Sequence, residues 1–84
     1  MEVKAKAFAE EAIRAVGRGD APLARNFIAD AFDADHKLGP LADTIYLACA
    51  EIDAEGEVSP ATWNTLADAV DSAELRAVVE GSRS

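Results

Sequence analysis

Hydrophobic residues recur every three or four positions along most of the chain, which is the spacing of one face of an α-helix. The clearest run lies in the middle of the sequence, at Leu41, Ile45, Cys49 and Ile52, and these four residues should be buried along one face of their helix. Start and stop signals divide the chain into five predicted helices, over 2–16, 21–36 and 40–54, then from Pro60, and a short one after Ser72. No segment shows the strict alternation of a half-buried strand.

Residues with special backbone or capping properties lie between these segments. Gly17 and Gly56 are predicted to end helices, because glycine accepts the left-handed conformation of a C-terminal cap. Asp20 and Ser59 each precede a helix and can cap it with a side-chain oxygen. Because the connections are short, neighbouring helices should be antiparallel. We therefore predict an all-α fold, a small bundle of four to five antiparallel helices built from helical hairpins.

Length and composition fit one small domain, over 1–80, followed by a tail at 81–84 that should fray. Nineteen of the 84 residues are alanine, so a few large side chains must form the core between closely packed helices. The single cysteine excludes an intramolecular disulfide. No apolar stretch reaches the length of a secretory signal or a membrane span. Frequent Ala, Arg, Asp and Gly suggest a GC-rich bacterial genome, and we expect a cytoplasmic protein.

The charge of the chain is negative and uneven. The net charge is −8, and residues 29–84 hold twelve acidic against three basic side chains. Such a surface repels phosphate groups, so neither nucleic acid nor an anionic membrane is expected as a partner. A basic protein or a cation would be attracted, and solubility alone is the competing explanation. A protein partner is therefore expected, possibly a basic one.

Acidic residues crowd the end of the second helix, where the helix dipole favours cations. Acidic residues at this unfavourable position can mark a functional surface. Tyr46 lies beside the main apolar run of the third helix and is a candidate for an exposed interface anchor. Trp63 shares a face with Leu66 and Val70 and should lie in the core. The predicted partner-binding residues are therefore Asp30, Asp33, Asp35, Asp43 and Tyr46.

The first two predicted helices carry a pattern of large and small residues around a Gly-Asp turn. The positions that carry it are Phe8, Ala12, Ala15, Gly19-Asp20, Ala24, Ile28 and Ala31. This spacing resembles a single tetratricopeptide-like helical hairpin over residues 5–38, with small residues where the helices cross. Glu11 departs from the pattern, since the family has leucine there. The resemblance implies a protein–protein interaction module.

The segment 51–58 is an acidic turn that resembles a degenerate EF-hand loop. Acidic residues occupy its first, third and fifth positions and Gly56 its sixth. Thr62 stands where the family has the bidentate glutamate, and Pro60 already begins a helix. The alternative function is therefore a divalent-cation-responsive protein that uses this turn. An ordinary acidic connection between helices is the competing interpretation.

The sequence holds no arrangement of residues that indicates catalysis. Cys49 lies on the apolar face of the third helix, and nothing in the spacing joins it to His36, the single histidine. We therefore assign no catalytic residue, no metal site and no cofactor. The function that the sequence favours is a non-catalytic protein–protein interaction module with an acidic surface.

Overall fold

The computed structural model describes residues 3–83, which fold into five α-helices and contain no strand. Their bounds are α1 Val3–Gly17, α2 Ala21–Ala34, α3 Gly39–Glu55, α4 Pro60–Ala69 and α5 Ala73–Arg83. A short 3-10 helix, His36–Leu38, joins α2 to α3. The predicted all-α bundle is confirmed. Glu2, where the first helix was predicted to begin, lies outside the described residues.

Consecutive helices run antiparallel, as the contacts between their ends show. Arg25 near the start of α2 pairs with Asp53 near the end of α3. At the other side of the molecule, Arg83 at the end of α5 donates a hydrogen bond to Asn64 early in α4 (3.0 Å). The first and last helices run parallel, because the end of α1 at Gly17 approaches Ser82 near the end of α5. Lys6 accordingly pairs with Glu74 at the starts of α1 and α5.

Helix α1 lies at the centre of the bundle, in contact with α2, α3 and α5. Alanines allow this close packing, because they present little bulk to the neighbouring helices. Six of its residues are buried: Ala5, Ala9, Ala12, Ile13, Ala15 and Val16. The residues of α2 that were predicted to lie where the two helices cross are fully buried too. They are Ala24, Ile28 and Ala31. The helical hairpin is thus present, while membership of the tetratricopeptide family stays a prediction.

The predicted N-terminal caps are present. The Asp20 carboxylate accepts a hydrogen bond from the Leu23 amide (3.2 Å), and Ser59 Oγ accepts one from the Thr62 amide (3.2 Å). Each satisfies a backbone donor that the first turn leaves free. Gly56 ends α3 with a φ of 83°, as predicted for a left-handed cap.

Three details of the sequence-based prediction were wrong. Gly17 does not adopt the left-handed conformation; Gly19 does (φ 74°), two residues later. The second helix stops at Ala34 rather than His36, because the Asp35 side chain accepts from the Lys37 amide (3.0 Å) and caps the 3-10 helix. Ile52 is only partly buried, since it lies near the end of α3 beside the turn.

The predicted frayed tail is also corrected for residues 81–83. Helix α5 continues to Arg83, whose side chain bonds to Asn64 and Glu80. A close approach between Gly17 and Ser82 places this last turn against the end of α1. Side-chain contacts therefore hold a segment whose local composition indicated disorder. Ser84 lies outside the described residues.

A candidate docking groove between α2 and α3

A groove of about 320 Å³ runs along the outer side of the contact between α2 and α3. Small residues form part of it, and two aromatic rings and two carboxylates complete it. Its lining residues are Ala29, Phe32, Asp33, Gly39, Ala42, Asp43 and Tyr46. This size is near the lower end of the roughly 300–1,000 Å³ of ligand pockets, so it suits one or two side chains of a partner. We call it the α2–α3 groove.

Both aromatic residues of the groove are partly exposed. Phe32 is 36% and Tyr46 44% exposed, and they belong to different helices. Phe32 lies at the edge of the apolar face of α2, and its ring stacks on His36 (centroid distance 5.0 Å). Tyr46 lies on the side of α3 that faces α2. The two rings thus leave apolar surface exposed on both helices beside one groove.

The structure brings together three of the five predicted partner-binding residues. Asp33, Asp43 and Tyr46 all line the α2–α3 groove. Asp30 is exposed on α2 but lies about 100° around the helix from Ala29, away from the groove. Asp35 is engaged as the cap of the 3-10 helix, so it has a local structural role. Trp63 is buried (8% exposed), as predicted.

Sequence reasoning missed Phe32 and the small residues that leave room beside it. The sequence feature that could have identified Phe32 is the short connection between α2 and α3. A short connection makes the two helices antiparallel, so residues near the end of α2 lie beside residues near the start of α3. Pairing the two helices in this way would have set Phe32 opposite the segment that holds Asp43 and Tyr46.

An ion pair closes the contact between α2 and α3 beyond one end of the groove. Arg25, one turn before Ala29, donates a hydrogen bond to the Asp53 carboxylate. That hydrogen bond raises the pKa of the Arg25 guanidinium above its ordinary value, so the charge is retained. By contrast, Asp33 and Asp43 form no ion pair within residues 3–83. Their charges face solvent beside the aromatic rings.

The acidic segment 51–58 does not form a loop around a central space. Helix α3 continues to Glu55, and residues two apart on a helix point to nearly opposite sides, so Glu51 and Asp53 diverge. Asp53 pairs with Arg25, while Glu51 accepts hydrogen bonds from the Ser59 amide (2.8 Å) and the Thr62 hydroxyl. In the part of the chain that the structure describes, no three His, Cys, Asp or Glu residues gather to hold a metal ion. The cation-responsive alternative stays a prediction without support from these contacts.

Glu51 instead connects α3 to the start of α4 through hydrogen bonds, and the strength of this contact depends on pH. Its hydrogen bonds from Thr62 and the Ser59 amide lower the pKa of the carboxyl below its ordinary 4.5. The unfolded chain therefore takes up the proton first on acidification. The stabilisation from Glu51 is complete above about pH 4.5 and is lost as the pH falls through the lower pKa of the folded state.

Glu51→Gln should lower the free energy of unfolding by about 1 kcal/mol at neutral pH, because charged acceptors bind more strongly than amides. The difference from the wild type should shrink as the pH falls below 4.5, measured by urea unfolding across a pH series. Glu55→Gln, one turn later and exposed, is the matched control and should change stability by less than about 0.5 kcal/mol at every pH. A constant deficit for Glu51→Gln at all pH values would contradict the assigned contact.

The single thiol is buried, and its surroundings disfavour nucleophilic reactivity. Cys49 is 0% exposed, and its Sγ donates a weak hydrogen bond to the Ala21 carbonyl (3.6 Å). Burial raises the pKa of the thiol, which disfavours the nucleophilic thiolate. The prediction that Cys49 is buried is confirmed. It acts as a small apolar residue between α2 and α3.

Cys49 should react with a thiol reagent several thousand-fold more slowly in the native protein than in denaturant, because reaction requires the domain to open against its stability of about 5 kcal/mol. The absorbance of the released chromophore measures both rates, and the chain has no second cysteine to confuse the signal. Similar rates in the two states would show that the thiol is accessible.

A second, more polar depression lies where the C-terminal ends of α1, α3 and α5 meet, with Arg18, Glu57 and Arg83 among its lining residues. Arg83 is already bonded to Asn64 and Glu80, so this depression offers less free binding capacity than the groove. Within residues 3–83, no helix has the length and apolar character needed to cross a bilayer.

Exposed apolar surface and carboxylates without an ion pair among residues 3–83 thus lie together at the α2–α3 groove. No protein-family model, curated protein or solved structure matches the chain.

Proposed function

We propose that this chain is a non-catalytic protein–protein interaction module of a bacterial cytosolic protein, and that its α2–α3 groove docks a basic partner. The observation that carries the proposal is the pairing of exposed Phe32 and Tyr46 with the unpaired carboxylates of Asp33 and Asp43. Aromatic rings supply contact area at low entropy cost, and peripheral charges steer the encounter and select the sign of the partner.

A basic partner fits this groove better than a second copy of the chain. Two copies meeting at their grooves would bring Asp33 and Asp43 of each against those of the other, with a net charge of −8 on each chain. Like charges at a contact oppose association. A segment with lysine or arginine beside an apolar residue pairs those carboxylates and covers the rings.

Binding of a labelled probe peptide to the full chain tests the proposal. The probe carries leucine, lysine and arginine, and its counterpart replaces every basic residue with glutamate. Fluorescence anisotropy should show binding of the basic probe alone, with an affinity that falls as salt is raised. Equal binding of both peptides, or of neither, would reject a basic partner at this surface.

Variants locate the binding. Tyr46→Ala should weaken the basic probe roughly tenfold at low and high salt, because an aromatic anchor contributes apolar contact. Leu47→Ala is the control: Leu47 is 50% exposed on the same helix but does not line the groove, so binding should not change. Loss of binding in both variants alike would point to a nonspecific apolar surface.

Charge-reversal variants distinguish a specific effect of the groove carboxylates from an effect of the overall net charge. Asp33→Lys with Asp43→Lys should slow association and flatten its salt dependence. Asp68→Lys with Asp71→Lys makes the same change in net charge on two exposed residues, one in α4 and one in the connection after it, and should have a much smaller effect. Equal effects of the two pairs would mean that only the overall charge matters, as the solubility interpretation holds.

A further inference from the structure

The two aromatic residues of the α2–α3 groove stand apart on its two helices. Among the described aromatic side chains, Phe32 stacks on His36, and neither Phe32 nor Tyr46 stacks on the other. Both nevertheless line one space, with small residues such as Ala29 and Ala42 between the helices. Ring surface on both sides of an open space can receive a flat or elongated group between them.

The carboxylates beside those rings decide what kind of group fits. Asp33 follows Phe32 on α2, and Asp43 precedes Tyr46 by one turn on α3. A purely apolar side chain inserted between them would remove water from two charges without replacing its hydrogen bonds, which is unfavourable. A cationic side chain instead satisfies the carboxylates with the donors of its charged head, while its apolar stem covers the small residues of the groove.

The chain already makes such a contact along the same pair of helices. Arg25 crosses from α2 to the Asp53 carboxylate on α3, one helical turn before Ala29 begins the groove. In the groove itself the acidic residue on α3 is again present, as Asp43, but no described basic side chain reaches it. The groove thus has the acceptors of an arginine contact and lacks the arginine.

We propose that the α2–α3 groove receives a single arginine side chain of the partner, its guanidinium between Phe32 and Tyr46 and hydrogen-bonded to Asp33 and Asp43. This inference rests on the proposed docking function and specifies the anchor of the partner. Arginine is favoured over lysine because the planar guanidinium stacks on aromatic faces and offers several fixed donors to carboxylates. The ammonium of lysine is more strongly hydrated and cannot stack.

The test uses four short acetylated and amidated peptides that are identical except for a central arginine, citrulline, lysine or leucine. Citrulline keeps the shape of arginine without its charge. Titration of the isotope-labelled full chain, followed by backbone amide NMR shifts, should show saturable binding of the arginine peptide with shifts in residues 29–33 and 39–46. The lysine peptide should bind several-fold more weakly, and citrulline and leucine about tenfold or more weakly.

Conservative variants connect the preference to the groove. Phe32→Leu keeps an apolar residue and removes the ring, and Asp43→Asn keeps the shape and removes the charge. Each should reduce the affinity ratio of the arginine to the leucine peptide several-fold. Leu47→Ala and Asp68→Asn, outside the groove, should leave that ratio unchanged. Unchanged amide shifts in the rest of each variant would show that its fold is intact.

The outcomes separate this inference from the docking function. If the leucine or lysine peptide binds as tightly as the arginine peptide, or if shifts map elsewhere, the arginine anchor is overturned. If none of the four binds while the longer basic probe still depends on Tyr46, the anchor is overturned and docking survives. If the longer probe fails as well, the docking function itself is rejected. Shifts of the groove amides with protein concentration alone would identify a second copy as the occupant and overturn both.

Discussion

Ile45→Ala should lower the free energy of unfolding by about 2–5 kcal/mol, the largest effect of any substitution considered for this domain. Ile45 is 0% exposed and belongs to the central apolar cluster. Truncation removes three buried carbon atoms and leaves a cavity that the packed helices cannot fill. Because small domains have only about 5–15 kcal/mol of stability, urea unfolding should show a marked drop in the transition midpoint.

Leu47→Ala is the matched control for this truncation. Leu47 lies two residues further along the same helix and is 50% exposed, so its loss should change the stability by about 0.5 kcal/mol or less. A similar cost for both substitutions would mean that the rotational position of α3 is wrong.

Gly17→Ala should destabilise the protein by about 1–3 kcal/mol, although alanine is the better helix former. A Cβ atom at this position would lie 2.8 Å from both the Cβ and the carbonyl oxygen of Ser82. Because one of these two atoms belongs to the backbone, the steric clash can be removed only if α5 moves away from the end of α1. The expected result is a lower unfolding midpoint and loss of amide protection in residues 81–83.

Gly81→Ala provides the opposite expectation within the same contact region. Gly81 lies inside α5, and a Cβ there meets no atom within 4 Å. Helix propensity then dominates, and the variant should be more stable by up to about 1 kcal/mol. If both alanine variants were stabilising, α1 and α5 would not approach as closely as the structure has them.

The helices and their caps could be predicted because the signals that set them are local. Asp20 and Ser59 bond to amides three residues away, and Leu41, Ile45 and Cys49 share one helical face. The role of Gly17 could not be predicted in this way. Its neighbour Ser82 is far along the chain, and composition near Ser82 indicated only a loose end. Long-range packing thus reversed two local interpretations.

The candidate site was predictable in part for the same reason. Tyr46 was singled out because it lies beside the main apolar run of its helix, and charge drew attention to Asp33 and Asp43. Charge alone could not distinguish those two from Asp35, whose carboxylate caps the 3-10 helix. Nor could it show that Asp53 is already paired with Arg25. The distinction requires the three-dimensional neighbours of each carboxylate.

The parallel contact between the first and last helices has a consequence for synthesis on the ribosome. Helix α1 is made first, yet its packing against α5 must wait until residues 73–83 have been translated and released from the exit tunnel. The nascent α1–α2 hairpin therefore emerges with part of its apolar surface uncovered, a state in which chains are prone to misassembly. Closure of this bundle must therefore wait until α5 has left the exit tunnel, and a translational pause before α5 would prolong the exposed state.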